Sequence, residues 1–266
     1  MWCALTHRCV LEVKGEDATA FLQRLITQDL VKLETHPALY GLLLSPQGRF
    51  LHDFLITQEG TSLFLECEKD RAQDLMETLT RFRLRAKVEM GVSDRLLYAW
   101  YGEGEAPQSE EVLTLYQDPR LAALGMRAHT AKPLLGASKW EAYNARRIDL
   151  CVPEGSLDME VGRAIPAEYG VVALNGVDFQ KGCFMGQELT ARAEFTGKVR
   201  KALVCLTFDV QAPAPGTAVF AGDVEIGRTL SCQGNLALAR VRLEALGEVS
   251  VLTCAGEIVS FHQGTY

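Results

Sequence analysis

The chain has 266 residues, 48% hydrophobic and 23% charged, the composition of a folded globular protein with room for two domains. Its formal charge of −7, from 34 acidic against 27 basic side chains, excludes the strong non-specific attraction to nucleic acid or an anionic membrane that a basic chain would have. Eight cysteines, at positions 3, 9, 67, 151, 183, 205, 232 and 254, include no C-x-x-C pair. That spacing argues against an all-cysteine metal centre and, without a secretory signal, against a disulfide framework.

In chain order, CVLEVKG (residues 9–15) alternates apolar and polar side chains and predicts a strand. EDATAFLQRLI follows with Ala18, Phe21, Leu22 and Leu25 at helical spacing. ALYGLLLS predicts a buried strand closed by the turn PQGR (residues 46–49), then FLHDFLIT and TSLFLEC two further strands. KDRAQDLMETLTRFRLR is amphipathic, with Ala72, Leu75, Met76 and Leu79 on one face, and AKVEMGV closes the unit as a strand. The pattern is an α+β arrangement of hairpins rather than a run of βαβ crossovers.

The acidic stretch GEGEAPQSEE (residues 102–111) reads as a solvated loop between subdomains. SKWEAYNARRIDL predicts a short helix in which Trp140, Ala142 and Tyr143 are packing residues. From Leu203 onward, short strands broken by Gly or Pro predict a small β-barrel or sandwich, with a boundary near Lys198 to Leu203. The expected domains are therefore 1–198 and 199–266.

No apolar run approaches the ~20 residues of a membrane helix, and MWCALTHRCV has no apolar signal core. The expected compartment is the cytoplasm, or the mitochondrial matrix if a presequence has been removed. Glycine-rich phosphate loops, HExxH and paired His/carboxylate metal motifs are all missing from the sequence, so no metal site is expected.

Three constellations carry candidate chemistry. In KGCFMGQELTAR (residues 181–192), Cys183 stands between glycines, with Lys181 two residues before it and a predicted helix after it. It is either a thiol presented at a site, its thiolate favoured by that cation and helix N-terminus, or a small buried thiol in a glycine turn. In GRFLHDFLI, alternation sends His52 and Asp53 to opposite faces of a strand. Asp53, among Phe50, Leu51, Phe54 and Leu55, needs a partner if buried, either the backbone amides of the turn or a basic or amide-bearing ligand in a pocket. In ARRIDLCVPEG, Asp149 is expected to form a surface ion pair with Arg146 or Arg147. The five histidines offer no recognisable Cys–His pairing for nucleophilic hydrolysis.

NGVDFQKGCFMGQELTAR resembles the signature of the YgfZ family, folate-binding relatives of the glycine-cleavage T-protein. That signature is K-G-C-x-x-G-Q-E, and Lys181, Gly182, Cys183, Gly186, Gln187 and Glu188 match it position by position. FLQRLITQDL, SPQGRFLHDFLI, DPRLAALGMR, RIDLCVPEG and AIPAEYG resemble further family segments in the same order, so the resemblance covers nearly the whole chain.

The resemblance implies a T-protein-like folate-binding fold of two α+β subdomains and a C-terminal small β-barrel. It implies a tetrahydrofolate cofactor, or a one-carbon derivative, in a central channel. It also implies iron–sulfur client or assembly proteins as partners, with tRNA thiolation among the bacterial consequences. Cys183 would be the functional thiol, and Asp53, Asp149, Lys181, Gln187 and Glu188 folate contacts. The alternative is a folate-dependent aminomethyltransferase. The T-protein has two adjacent acids where this chain has His52 and Asp53, a glutamate where it has Asp149, and relatives carry glycine where it has Cys151. These departures leave transferase activity an open question in the sequence.

Overall fold

The computed structural model describes residues 1–102, 104, 106–107, 109–195, 197, 199–247 and 251–266. The first half runs β1 (Trp2–Ala4), β2 (Arg8–Lys14), α1 (Ala18–Gln23), β3 (Leu39–Leu44), β4 (Phe50–Glu59), β5 (Ser62–Glu68), α2 (Ala72–Arg83), β6 (Glu89–Ser93), β7 (Leu96–Trp100), β8 (Val112–Gln117) and β9 (Met126–Thr130). A five-stranded antiparallel sheet has the order β3-β4-β5-β2-β6, and a four-stranded one the order β1-β7-β9-β8.

Alternation along the strands assigns the two faces of the larger sheet. Leu11, Val13, Leu39, Leu43, Phe54, Ile56, Leu63 and Leu65 face one way, where α1 and α2 cover them with Phe21, Leu22, Leu75 and Leu79. Val10, Tyr40, Leu42, Leu55 and Phe64 face the other way and pack against Leu97, Ala99 and Tyr116 of the smaller sheet. Each such buried side chain contributes about 1.5–3 kcal/mol, so the two interfaces are the main source of stability.

The second half contains α3 (Trp140–Asp149), α4 (Gly155–Asp158) and α5 (Gln187–Phe195). A barrel follows from β10 (Lys201–Thr207), β11 (Ala218–Ala221), β12 (Val224–Gln233), β13 (Leu236–Arg242), α6 (Leu243–Leu246), β14 (Leu252–Cys254) and β15 (Glu257–Gln263). It closes in the order β10-β13-β12-β11-β14-β15. Val204, Leu206, Ala237, Ala239 and Val241 fill it, while Leu203, Cys205 and Leu238 point outward into the central core. Arg147 fastens the barrel to α3: it donates to Asp158 Oδ2 (2.6 Å) and Ser231 Oγ (2.7 Å), all buried.

The structure corrects two expectations and adds one strand. The acidic loop after β7 does not separate subdomains; it joins β7 to β8, both in the smaller sheet, because a solvated hairpin loop and a linker share one composition. The first strand, β1, belongs to that smaller sheet too, paired with β7. Ala142 is exposed rather than packed. Glu103, Glu105 and Gln108 of the loop, and Lys198 at the expected boundary, lie outside the described residues. No helix among the described residues is long and apolar enough to cross a membrane.

Candidate functional site

Strand alternation that buries apolar residues between the sheets also buries charges there. Arg8 of β2, Asp53 of β4 and Glu66 of β5 face Arg127 of β9, with Asp118, Arg120 and Glu154 from adjoining loops, all at most 5% exposed. Arg127 donates to Glu66 Oε1 (2.7 Å), Asp118 Oδ2 (3.0 Å) and the Tyr143 hydroxyl (2.9 Å). Arg8 donates to Glu154 Oε1 (2.7 Å), and Arg120 holds Asp118 through two bonds of 2.9 and 3.0 Å. Tyr116 donates to Glu66 Oε2 (3.1 Å). Buried charges persist only when paired in this way.

The network treats its carboxylates unequally. Burial pushes Asp118 up, but Arg120 and Arg127 outweigh it and hold the group down at about 2. Burial likewise opposes Glu154, yet Arg8 and His7 keep it well below the usual carboxylate range. Asp53 goes the other way: burial, with Glu68 and Glu154 nearby, raises it to about 6 against the pull of Arg8. Its Oδ2 accepts from Tyr40 at a long 3.5 Å, the closest Arg8 nitrogen is 3.8 Å from Oδ1, and Oδ1 has no hydrogen-bond partner. Neither turn amides nor an open pocket wall is its environment. His52, on the opposite face, meets Asp74 (3.2 Å) under α2.

A cleft of 420 Å³ opens beside this network, lined by Gln28, Lys32, Tyr40, Asp118, Pro119 and Asn175 among others. Its size suits a small-molecule ligand. Asp53 does not line it; Tyr40 does, and its hydroxyl reaches back to Asp53.

The signature loop is tied to the edge of the same cleft. Lys181 is buried, and its ammonium donates to the backbone oxygens of Gln23 (2.8 Å), Ile26 (2.8 Å) and Gln28 (2.6 Å). Those bonds use all three of its protons. Burial pulls the group down to about 8, with Asp29 and Asp178 pulling it up. Gln28 Nε2 donates to Asn175 O (2.6 Å), and Thr27 Oγ1 to Gly176 O (2.6 Å). Lys181 is thus an anchor directed into the protein, and neither a cation beside Cys183 nor a free ligand contact.

Gly186 supplies the second anchor. Its φ is +82°, and a Cβ there would sit 2.6 Å from the Ser45 carbonyl oxygen and 2.9 Å from Gly48 Cα, against the turn before β4. Gly182 has open space around it. Between these points Cys183 is exposed, the one exposed thiol of the eight. The buried-thiol reading therefore fails. Gln187 opens α5 and is half-buried, while Glu188 is exposed and paired with Arg192 (3.3 Å).

Asp149 stands apart from the cleft lining, exposed at the end of α3. Its partner is His262 of β15, with Nε2 3.6 Å from Oδ1, and neither arginine expected. Arg147 and Asp149 are two apart on a helix and do not face each other. Arg146 donates instead to Ala123 O (2.8 Å).

Arg8, Glu66, Asp118, Arg120, Arg127, Tyr143 and Glu154 were missed by sequence reasoning. The signal that found Asp53, a charge inside an apolar strand, was equally present at Glu66 in LFLEC.

Comparison with known proteins adds the following. The GCVT N-terminal domain matches residues 3–123, and the CAF17 C-terminal beta-barrel domain residues 200–263. The mitochondrial iron–sulfur cluster assembly factor IBA57 of Mus musculus is 31% identical over 96% of this chain and 82% of its own length. Its Neurospora crassa homologue is also 31% identical, over 80% of this chain but 56% of its own length. The crystal structure of glycine cleavage system aminomethyltransferase T from Bartonella henselae superposes with a TM-score of 0.75 at 16% identity, covering 98% of this chain and 83% of that one. The fold is therefore that of the T-protein, with the six-stranded C-terminal barrel.

Proposed function

The chain belongs to the IBA57 family of iron–sulfur cluster assembly factors, and from that premise we propose that it is an accessory factor in the assembly or repair of iron–sulfur proteins, acting through Cys183. The observation that carries this is the exposure of Cys183 on a loop pinned at both sides, by Lys181 to three carbonyls and by Gly186 to the Ser45 turn. A pinned loop holds one thiol in a fixed place. A single thiolate can take one position on a cluster or meet a client thiol, and the remaining ligands must come from the partner. YgfZ-type resemblance and the IBA57 relatives lead to the same class of factor. The relatives' mitochondrial names favour the matrix over the cytoplasm as its compartment.

We further propose that the cleft at Tyr40 takes a tetrahydrofolate-type cofactor. The fit rests on the amides of Gln28 and Asn175 beside the Tyr40 ring, whose hydroxyl reaches the buried Asp53 carboxylate behind the cleft. Tyr40, Gln28 and Asn175 would hold the ring, with Asp53 polarising the Tyr40 hydroxyl from behind. Lys32, already paired with Asp178 (2.8 Å), and His36 border the mouth. A bound folate would supply one-carbon chemistry. Gln187, Glu188 and Asp149 do not line this cleft, and no role at it is proposed for them. His52 points toward α2, so its replacement of an acid removes nothing from the inter-sheet side; the family, rather than His52, is what favours an accessory factor over aminomethyl transfer.

Two measurements test these readings separately. Calorimetric titration of the reduced protein with tetrahydrofolate should show saturable binding, weakened about tenfold or more in Asp53→Asn; no binding at millimolar ligand refutes the folate part. In cells lacking their own factor, Cys183→Ser should fail to restore iron–sulfur enzyme activity while folding normally. Full complementation by that variant removes Cys183 from the function.

A further inference from the structure

Among the side chains left unused by the cleft and the signature loop, one group gathers metal-ligand types from three distant segments. Asp149 ends α3, Cys205 lies in β10 and His262 in β15, and one ligand atom from each lies within 4.8 Å of the others. The barrel builds two of the three positions. Cys205 and His262 are direct cross-strand partners, which puts their side chains on one face of the sheet. Val204 and Leu206 fill the barrel, so that face is the outer one, against the end of α3.

The third position is electrostatically suited to a cation. Asp149 occupies the last turn of a ten-residue helix, where the free carbonyls favour positive charge. His262 Nε2 donates to the Asp149 backbone oxygen (2.6 Å), a bond that a metal on this nitrogen would replace, and lies 3.6 Å from the Asp149 carboxylate. A second thiol is close: Cys151 Sγ contacts His262 O at 3.6 Å. Cys151 holds a φ of +58°, a left-handed conformation that disfavours a residue with a Cβ. Tyr266 donates to the Cys151 carbonyl at 2.8 Å.

We propose that Asp149, Cys205 and His262 form a binding site for a zinc-class divalent cation that staples the end of α3 to the barrel. Thiolate, imidazole and carboxylate are the three ligand types zinc accepts together, in a four-coordinate shell whose last position falls to water or Cys151. Binding releases the Cys205 proton to solvent as the sulfur–metal bond forms, so affinity rises with pH. Spacing rules find no metal motif in this sequence because they read neighbours along the chain, and these ligands meet only when the barrel docks on α3. Cys183 takes no part, so this inference is independent of the proposed function.

The test uses the full chain carrying Cys183→Ser, which removes the exposed thiol. Metal-free protein is titrated with zinc against a chromogenic chelator, and with cobalt(II) to read the thiolate–cobalt charge-transfer band. The expected result is uptake of one equivalent with that band present, and loss of about tenfold or more in affinity in His262→Ala. Both His262 and Asp149 are surface-exposed, so their variants keep the fold. Zinc should also raise the melting temperature of the parent and leave His262→Ala unmoved. No stoichiometric uptake by the folded parent, or uptake unchanged in both His262→Ala and Asp149→Asn, overturns the proposal.

Discussion

Two glycines in the signature loop should respond unequally to the same change. In Gly186→Ala the new methyl meets backbone, 2.6 Å from Ser45 O and 2.9 Å from Gly48 Cα, and Leu44 Cβ at 3.1 Å, none of which can swing away. A residue with a Cβ at φ +82° costs about 1–2 kcal/mol, and forcing a methylene-sized group into a packed site costs about 1–3 more. The sum, roughly 2–5 kcal/mol, corresponds to a drop of about 4–20 °C in melting temperature for a chain of this size. Gly182→Ala, with nothing within 4 Å, should stay within about 0.5 kcal/mol of the parent. Thermal melting of both variants, with amide exchange over residues 183–190, reads the global and the local effect. If the two variants melt alike and exchange alike, the loop is not held by Gly186 and the argument for a fixed Cys183 fails.

Lys181→Met should leave three backbone oxygens without their donor, costing about 3 kcal/mol or more, and should speed proteolytic cleavage within residues 175–190; an unchanged cleavage rate refutes the anchor. Arg127→Met leaves Glu66 with Arg8 and Tyr116 and Asp118 with Arg120, but the buried network one positive charge short, and should cost about 3–5 kcal/mol in denaturant unfolding, part of which Glu66→Leu in the same chain recovers. Acidification should destabilise the protein between pH 6.5 and 4. His52 and His129 are held down to about 4 by burial, so the unfolded chain binds protons there that the fold does not. Asp53, raised to about 6, opposes them, because the fold binds a proton between about 4 and 6 that the unfolded chain lacks. The net loss is about one histidine's worth, ~3 kcal/mol, and Asp53→Asn should steepen it; a shallower slope in that variant in urea titrations contradicts the raised Asp53.

How legible all this was depended on whether the cause was local. Alternation in ALYGLLLS and the helical spacing of Leu75 and Leu79 are properties of single segments, and the strands and helices fell where those patterns placed them. The partner of a buried charge is not local. Asp53 could be picked out from its apolar neighbours, but Arg8 reaches it from β2, two strands away in the same sheet, and Glu154 from the loop before α4, a hundred residues on. Sequence proximity misled in two places for related reasons. Lys181 is two residues from Cys183, yet one side chain turns inward and the other outward; Arg147 is two residues from Asp149 and lies on another side of the helix. Cys151 adopts the left-handed backbone that glycine favours, φ +58°, and nothing in its own residue type announced that turn.

The exchange of β1 into the smaller sheet constrains how the molecule can move. The chain crosses from one sheet to the other at residues 5–7, between β1 and β2, and again at residues 94 and 95, between β6 and β7. Two short stitches leave at most one axis, the line through them, about which the sheets could swing, and the buried Arg127–Glu66 pair (2.7 Å) ties one sheet to the other besides. The cleft at Tyr40 opens at the rim, beside the two segments that carry Gln28 and Asn175. The edge of the cleft and the position of the Cys183 loop thus depend on the same few hydrogen bonds, from Gln28 to Asn175 and from Lys181 to the carbonyls of residues 23, 26 and 28.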